Sequence, residues 1–169
     1  GIPDILQQIE HGLLSIVGSY NSLGRLYRGI ICPTLQQYVH LGDAATMTDN
    51  IIFDENKKDH ILNLPLPNDD RLVFTEKNPF RELYVASVLA SVPRVLEKLN
   101  PSLSENSLKA SREILDNNSN ADIKLRLNTI AELYLTTSEI EYKNILLENA
   151  DVFASDIERY SKIIGRITE

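Results

Sequence analysis

The sequence predicts an all-α, mainly helical protein: a helical bundle with one long irregular insertion that has room for a small β element. Three observations carry this expectation. Apolar residues recur at three- and four-residue steps from Ile2 to Ile31 and again beyond residue 79, the period of an amphipathic helix. Between 43 and 78 that period vanishes into short apolar runs parted by polar and proline-containing stretches. No self-similarity of 20–50 residues persists along the chain, so a repeat solenoid is not supported. The 169 residues fit one domain, 1–169, because about 100–200 residues is the usual domain size.

In the first helix Ile5, Leu6, Ile9, Leu13, Ile16, Val17, Tyr20, Leu23, Tyr27 and Ile30 share one face, with Pro3 and Asp4 suited to its first turn. Gly12, Gly18, Gly24 and Gly29 interrupt it, each costing about 1 kcal/mol relative to Ala, so a bend or break near one of them is expected. Pro33 ends or kinks the pattern; Leu35, Tyr38, Val39 and Leu41 then predict a short helix closed by Gly42.

Residues 43–78 form the excursion. NIIF, HILNL and RLVF read as short strands, and Pro65 and Pro67 confine any sheet there to edges. Connections this long are commonly functional, which makes the stretch a candidate for partner contact.

Asn78-Pro79 is a helix start. Phe80, Leu83, Tyr84, Val88, Leu89, Val92, Val95, Leu96 and Leu99 follow as one apolar face, with Pro93 predicting a kink or split near Ser91. Further helices are expected at 104–116, 121–136, 139–149 and 151–167, and Ser138 with Glu141 matches a capping box. The two long stripes should meet, with Leu13, Val17, Tyr20 and Tyr27 packing against Leu83, Tyr84, Val88 and Leu96.

A net charge of −7 repels phosphate backbones, so nucleic acid is disfavoured as a partner. Cys32 is the single cysteine; an intrachain disulfide scaffold is excluded, and a reducing compartment, cytoplasmic or nuclear, is the simplest expectation. No apolar run approaches the roughly 18 residues a membrane-spanning helix needs. A start at Gly1 and a helical pattern still running at Glu169 read as an excised domain or processed fragment.

Residues 116–127, DNNSNADIKLRL, place Asp116, Asn118 and Asn120 at alternating donor positions and Ile123 at the eighth position, as in an EF-hand calcium loop. The rest of the loop fails: Ala121 stands where glycine turns the chain, Lys124 places a cation beside the ion, and Leu127 replaces the bidentate glutamate. The expected role is a joint, with one helix ending at Asn117 or Asn118 and the next capped by Asn120.

His11, His40 and His60 lie far apart, so neither a metal site nor another cofactor is expected. Cys32 is a nucleophile only if the fold brings a base such as His40 to it, and a small buried residue is the simpler role. The N-terminal third is short of charge, carrying only Asp4, Glu10, Arg25 and Arg28 up to residue 42. Such a helix is either the buried centre of the bundle or an interface with another chain.

The functional expectation is therefore a non-enzymatic protein–protein interaction domain or scaffold, a subunit or fragment of a larger assembly. Its partners are other proteins, self-association included, and the candidate partner-binding residues are Leu13, Val17, Tyr20, Tyr27, Ile51, Ile52 and Phe53. The alternative is a small all-α enzyme or ligand-binding bundle with its site between helices.

Overall fold

The computed structural model describes residues 3–31, 43–47, 71–75 and 77–168. The protein is mainly helical, as its periodicity implies. Eight helices are seen among the described residues: α1 (Asp4–Leu23), α2 (Pro79–Ser91), α3 (Pro93–Leu96), α4 (Pro101–Asn117), α5 (Ile123–Thr137), α6 (Ile140–Glu148), α7 (Ala150–Ser155) and α8 (Ile157–Ile167). Three short strands accompany them, β1 (Tyr27–Ile31), β2 (Asp43–Met47) and β3 (Arg71–Thr75). The chain divides into two compact units, one of Gly1–Gly18 with Asn78–Glu169 and one of Ser19–Lys77.

In the first unit α2 is central and packs most extensively on α5 and α4, while α5 also carries α6 and α8. Asn78 caps α2 by accepting from the Arg81 N–H at 3.1 Å, and Glu82 reaches back to the Asn78 N–H at 3.1 Å. The α2–α3 break falls between Ser91 and Pro93, where proline was expected to split the helix. Its buried side is Leu83, Ala86, Leu89 and Ala90. The core continues through Leu115, Leu127, Ile130, Leu133, Leu146, Phe153 and Tyr160.

Small residues and hydroxyls let α2 approach its neighbours closely. Ser111 on α4 donates to the Ala86 carbonyl at 2.8 Å. On α5, Thr129 donates to Leu83 O at 2.8 Å and Thr136 to Ala90 O at 2.6 Å. This corrects the expected stripe on α2, because Tyr84 and Val88 are exposed and alanines take their place inside. Contact between α1 and the other helices is sparse; one such point is the 2.7 Å hydrogen bond from Asn100 Nδ2, at the α4 N-cap, to Glu10 Oε1.

The 116–127 stretch is the joint between α4 and α5. Asn118 ends α4, its side-chain amide donating to Glu82 Oε2 at 2.8 Å and Ile114 O at 2.9 Å. The α5 cap is Asp122 and not Asn120: its carboxylate accepts from the Lys124 N–H at 2.9 Å, and a charged acceptor suits the positive helix end. Likewise Ser138 does not start α6. It adopts the left-handed conformation at φ 57° and closes α5 through its N–H to Tyr134 O at 2.8 Å, leaving Glu139 as the residue before α6. The stretch expected as one helix over 151–167 is two, because Asp156 leaves helical geometry and caps α8 by accepting from the Arg159 N–H at 3.2 Å.

In the second unit the end of α1 is set by Gly24, whose φ of 65° is open to glycine without strain and whose N–H bonds to Tyr20 O at 2.7 Å. Tyr27–Ile31, expected as helix, is therefore a strand, which suits its tyrosine and paired isoleucines. The sheet order is β1-β3-β2 with both pairings antiparallel. β3 coincides with the RLVF run. The expected strands NIIF and HILNL and the expected helix around Leu35–Leu41 lie outside the described residues.

Candidate functional site

The first unit carries a row of apolar side chains turned to solvent. On α2 and α3, Phe80, Tyr84, Val88 and Val95 are 66%, 65%, 47% and 47% exposed. Helical spacing puts them, with Ser91, along one line of the surface. Single exposed hydrophobics are ordinary, but an aligned row is a contiguous patch.

The row borders two separate surface hollows that lie along it and together are called the groove. At one end the groove is lined by Phe80, Leu83 and Tyr84, by Leu125 and Asn128 of α5, and by Arg159 of α8. At the other it is lined by Ser87, Val88, Ser91, Arg94 and Val95, by Glu132 of α5 and by Arg166 of α8. Both hollows are bordered by α2, α5 and α8, and the second also by α3.

The groove's charged groups are held by their neighbours. Glu132 is held between two guanidiniums, forming ion pairs with Arg94 and with Arg166. Arg166 Nη2 adds a 3.0 Å hydrogen bond to Glu132 Oε2, and Arg94 also bonds to the Glu132 carbonyl at 3.1 Å and to Thr136. Arg159 lies 5.4 Å from the centre of the Tyr160 ring, a cation–π distance, and reaches the Lys124 carbonyl at 3.4 Å. The Oδ1 of Asn128, on the groove floor, is buried and has no hydrogen-bond partner among the described residues.

No known protein family, curated protein or solved structure matches this chain.

Of the residues singled out in the sequence, Leu13, Val17 and Tyr20 are 5%, 3% and 3% exposed, so they are buried. Tyr27, in β1, is half-buried. Ile51, Ile52 and Phe53 lie outside the described residues, as do Cys32, His40 and His60. His11 is on the exposed side of α1. Among the described residues no three His, Cys, Asp or Glu side chains gather to hold a metal, and no helix is long and apolar enough to cross a membrane. Periodicity alone does not signal the groove, because it places the apolar row in the core. The signal that separates the two faces is the line Leu83, Ala86, Ala90, whose small residues permit a close helix approach that tyrosine and phenylalanine would block.

Proposed function

We infer that the protein is a non-enzymatic protein–protein interaction domain, a subunit of a larger assembly, and that the groove along α2 is its contact surface. The observation that carries this reading is the exposed apolar row Phe80, Tyr84, Val88 and Val95. Exposed aromatic and aliphatic groups in line form the kind of patch that becomes the dry centre of an interface. Net charge −7 favours protein over nucleic acid as the partner. A single cysteine is consistent with a reducing compartment, the cytoplasm or nucleus.

Affinity capture with the full chain and with Val88→Glu, followed by mass spectrometry, tests the reading. A specific protein held by the wild type and lost with Val88→Glu, at an unchanged melting temperature, is the expected result. Identical protein sets on both baits would refute it.

A further inference from the structure

Resting on that reading, we propose that the groove receives an acidic amphipathic α-helix of a partner protein, laid along α2 with its apolar side on Phe80, Tyr84, Val88 and Val95 and its carboxylates towards α8. The apolar row is matched to a helix by its spacing and its length. From Phe80 to Ser91 the row runs eleven helical steps, about 16 Å at 1.5 Å per residue or about three turns of an occupant, and Val95 extends it past the α2–α3 break. The walls and floor are themselves helices, α2, α5 and α8, so an added helix completes the layer by the packing that already holds the unit together.

Charge selects among such helices. Arg159 and Arg166 lie seven residues apart on the α8 wall, and helical spacing puts the exposed Lys162 between them on the same side. Arg94 adds a fourth cation beside Val95. Among the described groove-lining residues the one carboxylate is Glu132, and it is shared between Arg94 and Arg166. One glutamate against two arginines leaves that end positive, and at the other end Arg159 is the lining cation, with Asp156 at the α8 cap and Glu158 one turn before Lys162. Counted over the lining residues, three arginines against one glutamate give a positive excess beside the apolar row, on a chain of net charge −7. Carboxylates on one flank of an apolar stripe complement it, and lysines there are repelled.

The experiment uses the full chain and a displayed library of 18-residue peptides, with leucines fixed at helical spacing and the flanking positions randomised among Glu, Lys, Gln and Ser. Enriched peptides are then measured by fluorescence anisotropy. The expected result is enrichment of Glu on one flank, binding that weakens with salt, and affinity reduced about tenfold or more by Val88→Glu and by Lys162→Glu. Lys162 is exposed, so that variant tests the charge without disturbing the core. Enrichment of Lys, or binding indifferent to Lys162→Glu, would overturn the acidic helix.

Failure to enrich any peptide would also overturn it. If protein capture still depends on Val88 in that case, the interaction reading survives; if it does not, both fall. Sedimentation of the wild type as a dimer that Val88→Glu dissociates would assign the groove to a second copy of the chain. Flotation with vesicles of phosphatidylserine, with no peptide bound, would assign it to a lipid surface. Either result overturns the proposal.

Discussion

The hydroxyl of Tyr160 on α8 donates a 3.0 Å hydrogen bond to the carbonyl of Lys124 in the first turn of α5. The ring is fully buried and meets Phe153 edge-on, with centroids 5.0 Å apart and planes at 76°. One side chain thus joins α7, α5 and α8 through an apolar body and a polar tip.

Burial raises the Tyr160 pKa above its ordinary value, reinforced by Asp156 and Asp122 and opposed by Arg159. Tyr142 is raised as well, again first by burial. With folded-state pKa values above the unfolded ones, the native state holds these protons more tightly. Their contribution is complete below about pH 10 and is lost as pH rises through the folded-state values. Chemical denaturation between pH 8 and 11 should show stability falling only at the alkaline end. Tyr160→Phe should lose about 1 kcal/mol at pH 7 and fall less steeply above pH 10.

Leu13 and Ser15 test the N-terminal helix. Leu13 is buried and Ser15 exposed on α1. Leu13→Ala should cost about 2–5 kcal/mol and Ser15→Ala within about 0.5 kcal/mol, read as midpoints of urea unfolding. Equal midpoints would place Leu13 outside the core.

Thr129→Val keeps the side-chain volume and deletes the hydroxyl that bonds to Leu83 O. The expected loss is about 1 kcal/mol. Ala86→Leu, at a fully buried position between packed helices, should cost about 1–3 kcal/mol or more by overpacking. Thermal melts of the two variants check both figures.

Millimolar calcium should leave the thermal midpoint unchanged. Asn118 is buried, its side chain oriented by Nδ2 bonds to Glu82 and Ile114, and Asp122 is engaged in capping α5. Saturable calcium binding by calorimetry, abolished in Asp116→Ala, would contradict this.

Asn128→Leu should raise stability, by about 1 kcal/mol, since Asn128 Oδ1 is buried without a hydrogen-bond partner among the described residues. A lower melting temperature would show that the amide is satisfied in solution.

The start of α2 was legible because Asn78, Pro79 and a 3.6-residue period agree on it, whereas the helix expected at 104–116 begins at Pro101 and the one expected over 151–167 is two. Pro93 marked the α2–α3 break within a residue or two. Caps were less legible: Asn120 and Ser138 have suitable side chains, but Asp122 holds a charge at the helix end and Ser138 is already used in closing α5. The strand at Tyr27–Ile31 was hidden because its apolar residues continue the helical spacing, and only the conformation of Gly24 breaks the register. The groove was illegible for a related reason. Periodicity finds an apolar face but does not say which of two adjacent faces is covered, and α2 has one on each side.

The three hydroxyls that bond to Leu83 O, Ala86 O and Ala90 O have a consequence for uniqueness. These carbonyls stand on one side of α2, where alanine side chains leave the backbone open to a neighbour. Turning α2 about its axis to cover the Tyr84 and Val88 side would put large side chains between hydroxyl and carbonyl, each unmet buried donor at a penalty of about 1–3 kcal/mol. The hydroxyls therefore act as index marks of rotation, selecting which of two apolar faces is covered. A core with valine at 129 and 136 and alanine at 111 would retain much of its bulk and lose those marks, and exchange-broadened methyl resonances along α2 would be the sign of that loss.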